Sequence, residues 1–118
     1  MPTKEYYLEQ IEHELSTARE ALKIGNEGKA RVCARRAAGQ AITWFLSKYP
    51  RPHWQADAMN QLLNMKSDET FPDNVRNAAL RLTTKISERF TYPFSNDPID
   101  DAKTIIDAIV MKMESHAA

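Results

Sequence analysis

Apolar residues recur every three or four positions in helix-length runs along this chain, and short polar or proline-marked breaks separate the runs. The last run is the clearest. After Asp97-Pro98-Ile99-Asp100, the residues Ala102, Ile105, Ile106, Ile109, Val110 and Met113 make one continuous stripe on a helix, and no strand pattern competes with it. Asp97, Pro98 and Asp100 suit the start of that helix, because carboxylates near a first turn complement its dipole. The first run begins after Thr3, whose hydroxyl can accept from an unpaired first-turn amide, and Leu8, Ile11, Leu15, Ala18 and Leu22 form its seam. Glu9, Glu12 and Glu14 lie off that seam, and Gly25-Asn26-Glu27-Gly28 ends the helix.

The second helix is expected from about residue 28 to Lys48, turning back antiparallel after so short a break. Its apolar residues, Cys33, Trp44 and Phe45 among them, spread over more than half the circumference and leave one polar strip of Lys29, Arg36, Gln40, Thr43 and Ser47. A helix that apolar, with so many alanines, belongs at the centre. Arg31 and Arg35 border its apolar arc, where their stems can lie on apolar surface. Pro50 and Pro52 stiffen the next loop. A shorter helix is predicted from about His53 to Lys66, with Trp54, Ala58, Leu62 and Met65 on one face. A fourth starts at Pro72 and continues through Val75, Ala78, Ala79, Leu82 and Ile86 as far as Phe90, with residues 91–96 as a loop. The expected architecture is all-α: an antiparallel four-helix bundle with a short additional helix, in a single domain of residues 1–118.

A chain of 118 residues with 42% hydrophobic and 27% charged residues can build a core without disulfides or a structural metal. The lone Cys33 excludes an internal disulfide and fits a reducing compartment. No run approaches the roughly 20 apolar residues of a membrane span, and the first residues lack a signal-peptide layout, so no membrane association and a cytoplasmic location are expected. The net charge of zero conceals an uneven distribution: residues 1–18 sum to −3, residues 19–52 to +6 and residues 96–118 to −3. The basic stretch could meet nucleic acid or an acidic partner; the reading we favour is that it packs between the two acidic helices and is balanced inside the fold.

Candidate chemistry is sparse. His13, His53 and His116 are scattered and lack the carboxylate partners of a helical-bundle metal site, so neither a metal nor a cofactor is expected. Cys33 reads as a small core residue, although the nearby Arg36 could mildly activate its thiol. Asp100-Asp101 reads as a cap and solvated surface, and the three glycines form no phosphate loop. The breadth of the second helix's apolar arc predicts a homodimer, with Trp44, Trp54, Tyr92 and Phe94 as candidate interface aromatics.

The segment Arg36-Ala37-Ala38-Gly39-Gln40-Ala41-Ile42-Thr43-Trp44-Phe45-Leu46 resembles the core motif of HEPN-domain proteins. In that motif a polar residue, two alanines and a glutamate precede an alanine, a branched aliphatic, a lysine and further apolar residues. The acidic first helix, Pro52-His53 and Leu62-Leu63, Phe71-Pro72 opening a helix that reaches Arg89-Phe90, and Asp100-Asp101-Ala102 extend the resemblance over most of the chain. It implies a compact bundle, commonly a homodimer. The family includes ribonucleases and toxins of toxin–antitoxin pairs, partners of small nucleotidyltransferases, and noncatalytic nucleotide- or RNA-binding modules. Catalytic members carry an Arg-x4-6-His motif. Arg89 stands where that arginine is expected, but the residues Phe90 to Asn96 that follow include no histidine. Gly39 replaces the motif glutamate and Thr43 its lysine. Without an imidazole, no group of near-neutral pKa is at hand for RNA cleavage. The resemblance therefore implies a noncatalytic interaction module that partners a nucleotidyltransferase or toxin–antitoxin-type protein, with nucleotide or RNA contacts through Arg31, Arg35, Arg36 and Arg89. The alternatives are a divergent ribonuclease using Arg89 with His53, and an unrelated helical-bundle regulator.

Overall fold

The computed structural model describes residues 2–54, 56–84 and 97–115. Thr3, Asn26, Asp57 and Asp97 each open a helix by accepting from a first-turn amide, and the helix after Pro72 begins without a side-chain cap. The Thr3 hydroxyl accepts from the Tyr6 amide at 3.1 Å and opens α1 (Lys4–Lys23). Gly25, at φ 78, takes the left-handed conformation just past its end. Asn26 then caps α2 (Glu27–Lys48) through the Lys29 amide at 3.1 Å, and the chain reverses so that α1 packs along α2. Short α3 (Ala58–Lys66) and α4 (Asp73–Thr83) follow, and α5 (Pro98–Ser115) starts with Asp97 accepting from the Asp100 amide at 2.9 Å. All the described elements are helices, so the fold is an all-α bundle of five helices among the described residues.

The central position expected for α2 is observed. It packs against α1, α5 and α3 and touches α4. Ala30, Ala34, Ala37, Ala38 and Ala41 are fully enclosed, and these small side chains let the neighbouring helices come close. Contact is close at Gly39, where an added Cβ would stand 2.8 Å from the Ala58 Cβ. Around this axis Ile42, Leu62, Leu82, Ile105 and Ile109 are wholly buried, each contributing about 1.5–3 kcal/mol in transfer from water.

Three boundaries differ from expectation. The buried seam of α1 begins at Tyr7 rather than Leu8, because the Tyr7 ring stacks on Trp44 with centroids 6.3 Å apart, while Leu8 is exposed. Helix α3 begins at Ala58 instead of His53, with residues 51–54 in a turn closed by the Trp54 amide on the Arg51 carbonyl at 2.9 Å. Asp57 is the better cap: it accepts from the backbone amide and side-chain amide of Asn60 at 3.0 and 2.7 Å. The side-chain bond, then the backbone bond, holds its carboxyl below the ordinary range. Helix α4 stops at Thr83, although the apolar pattern runs on to Ile86, because Thr84 is extended at ψ 132. The expected continuation to Phe90 and the loop of residues 91–96 lie outside the described residues. No helix among the described residues is long and apolar enough to cross a membrane.

Candidate functional site

The polar residues of α2 divide between two tasks, set by which face they occupy. Arg31 is 7% exposed, and its Nη2 donates to the carbonyl of Arg81 at 3.0 Å and to that of Thr84. Half-buried Arg35 reaches the Leu82 carbonyl from Nη1 at 3.4 Å. Burial, and then the charge of Arg31 beside it, lowers the pKa of Arg35. Carbonyls at a helix end have no amide of a next turn, and a guanidinium both bonds them and complements the negative end of the dipole. Arg81, in the same turn, meets the buried Asp101 of α5 through Nε at 2.9 Å and Nη2 at 2.8 Å. Two of the candidate nucleotide-binding arginines thus fasten α4 to α2. Asp101, expected as solvated surface, is instead 1% exposed and tied to Arg81.

Arg36 is on another face. Its side chain is exposed and has no hydrogen bond or ion pair among the described residues. It lines a groove of about 270 Å³ with Gly39, Gln40 and Thr43 of α2. Glu14 of α1 forms one wall, and Ala56, Ala58 and Gln61 form the other. Arg36, Gln40 and Thr43 of the polar strip of α2 therefore lie on the floor of a groove. Glu14 and Arg36 bring opposite charges to it without forming an ion pair with each other among the described residues.

Gln61 is the unusual member. It is 2% exposed, and its Nε2 donates to the Thr43 hydroxyl at 3.0 Å. Its Oε1 is buried without a hydrogen-bond partner among the described residues, 3.4 Å from where a Gly39 Cβ would lie. Turning the amide over would pair the oxygen with Thr43 and strand the NH2 group instead, so one end of the amide is unspent either way.

Cys33 borders this region but is not activated. Burial pushes its thiol above the ordinary range, and Glu14 adds to that by charge and by accepting its hydrogen bond; Arg36 and Lys29 pull the other way and are outweighed. Trp44 and Trp54 are buried at 7% and 8%, so within the chain they are core residues rather than exposed interface rings. His53 is exposed in the turn before α3, edge-on to Trp54. Arg89, Tyr92, Phe94 and His116 lie outside the described residues. Among the described residues, no three His, Cys, Asp or Glu side chains are grouped as metal ligands.

Glu14, Gln61 and Asp101 are the residues that sequence patterning passes over. The signal was present in their spacing. Gln61 falls three after Ala58 and four before Met65, and Asp101 falls four before Ile105, which puts both on buried faces. Glu14 is three after Ile11 and four before Ala18, at the edge of the seam. No protein-family model matches the chain, and no curated protein or solved structure is significantly similar to it.

Proposed function

We propose that this chain is a noncatalytic binding module of HEPN-like build, and that its ligand or partner group enters the groove between α1, α2 and α3. The observation that carries the reading is the Gln61 amide, one end of which is unspent inside the wall of that groove. A buried polar atom without a partner costs about 1–3 kcal/mol. Such a cost is hard to account for by stability, and native proteins tolerate it where a site serves something other than the fold.

Arg36 supports the same reading, since its exposed guanidinium is uncommitted among the described residues. Because Arg31 and Arg35 hold α4, a nucleotide or RNA contact would fall to Arg36 and Arg89. A homodimer, a nucleotidyltransferase or toxin–antitoxin-type partner and a cytoplasmic setting belong to this proposal through the family resemblance; the lone buried Cys33 suits a reducing compartment. With Trp44 and Trp54 buried, a dimer contact would draw on exposed apolar side chains such as Met59 and Leu63 of α3 and Leu80 of α4.

The competing reading is a ribonuclease that uses Arg89 with His53. Purified protein incubated with mixed RNA is expected to leave the RNA intact, and to sediment at twice the 13.5 kDa chain mass at micromolar concentration. RNA turnover that disappears in both Arg89→Ala and His53→Ala would replace the module with an enzyme, and a 13.5 kDa species would remove the dimer.

A further inference from the structure

We infer that the groove takes a small dipolar molecule of the amino-acid class, with its carboxylate at Arg36 and its ammonium group at Glu14. The inference rests on the reading of the groove as a binding site given above, and it names the chemistry of the occupant. The groove holds one guanidinium and one carboxylate that do not neutralise each other among the described residues. A purely anionic ligand would satisfy Arg36 but face repulsion from Glu14; a purely cationic one would meet the reverse. A molecule carrying both charges satisfies both, and charge-assisted hydrogen bonds at its two ends fix its direction.

Size and the remaining lining agree with this choice. A volume of about 270 Å³ falls just below the range of sites for drug-sized ligands, so the occupant is small. Thr43 and Gln40 offer hydrogen bonds along the floor. The Nε2–Thr43 bond holds the Gln61 amide at one end. A nucleotide fits less well, because its phosphate would share the groove with the Glu14 carboxylate.

The test is a nitrogen-resolved NMR titration of the full chain, following the side-chain amides of Gln61 and Gln40. The probes are a panel of free amino acids, acetate, methylammonium and adenosine monophosphate at equal concentrations. Saturable shifts of both amides with members of the amino-acid panel, and at least tenfold weaker binding of acetate and methylammonium, are expected. Arg36→Gln and Glu14→Gln should each weaken the amino-acid response about tenfold or more, with the spectrum otherwise that of a folded chain. Acetate or adenosine monophosphate binding as tightly as the best amino acid would overturn the dipolar assignment and leave the binding module standing. No movement of either amide with any probe would overturn the groove as a small-molecule site, while the sedimentation and RNA assays above test the binding module separately.

Discussion

Arg31 and Arg36 are the same residue type five positions apart on one helix, which sets them about 140° apart around its axis. That angle decides their roles. Arg31 is turned into the bundle, where its guanidinium bonds the carbonyls of Arg81 and Thr84; Arg36 is turned to the groove and to water. Replacing Arg31 with Ala removes the charge-assisted bonds from its buried guanidinium to the carbonyls of Arg81 and Thr84, so a loss of about 2–3 kcal/mol in urea unfolding is expected. Arg31→Lys should recover only part of it, because the shorter lysine side chain brings its ammonium less far toward carbonyls that a single nitrogen, Nη2, now serves. Arg36→Ala should stay within about 0.5 kcal/mol of the parent. Equal effects of the two alanine substitutions would show that Arg31 does not hold α4. The sequence made the basic stretch visible but not this division of labour, since a pattern of charges does not say which carbonyls lie opposite.

Helix boundaries teach a related lesson at α3 and α4. Apolar spacing reports which face is buried, and it placed the centres of all five helices correctly, but it does not report hydrogen-bond partners. Helix α3 starts late because Asp57 can cap it, and α4 ends early, where Arg31 and Arg35 take the final carbonyls. Close packing between elements is equally silent in the pattern. Gly39 of α2 leaves the room that Ala58 at the start of α3 fills, with 2.8 Å separating a hypothetical Cβ from the Ala58 Cβ and 3.3 Å from its Cα. Overpacking costs about 1–3 kcal/mol, against a helix-propensity gain of about 1 kcal/mol for Gly→Ala. Gly39→Ala is therefore expected to destabilise by about 1 kcal/mol net in thermal unfolding. Gly28→Ala, where a Cβ meets only the Asn26 Oδ1 at 3.9 Å, should be neutral or stabilising. A Gly39→Ala variant that melts above the parent would mean that α2 and α3 are not held at this distance.

In the assembled bundle, basic α2 packs against acidic α1 and acidic α5, while its Arg31 and Arg35 bond carbonyls of α4. The Lys4–Glu114 ion pair at 3.1 Å joins the two outer helices. What the sequence left hidden is the inward set of polar groups: Asp101 tied to Arg81, and Gln61 with one end of its amide unspent. A hydrophobic stripe interrupted by one polar residue still reads as a stripe; the spacing puts these groups on buried faces, but their partners emerge only when the helices are packed. Gln61 is where fold and function part company in this molecule. Urea unfolding of Gln61→Met measures that separation. Methionine is similar in length, suits a helix and fills irregular core space. The substitution removes the buried unsatisfied atom, worth about 1–3 kcal/mol, at the expense of one ordinary hydrogen bond to Thr43, worth about 1 kcal/mol. If the amide is kept for a ligand, the variant unfolds at the same urea concentration as the parent or a higher one. A loss of more than about 1 kcal/mol would mean that Gln61 is kept for the fold and would contradict the assignment of the groove.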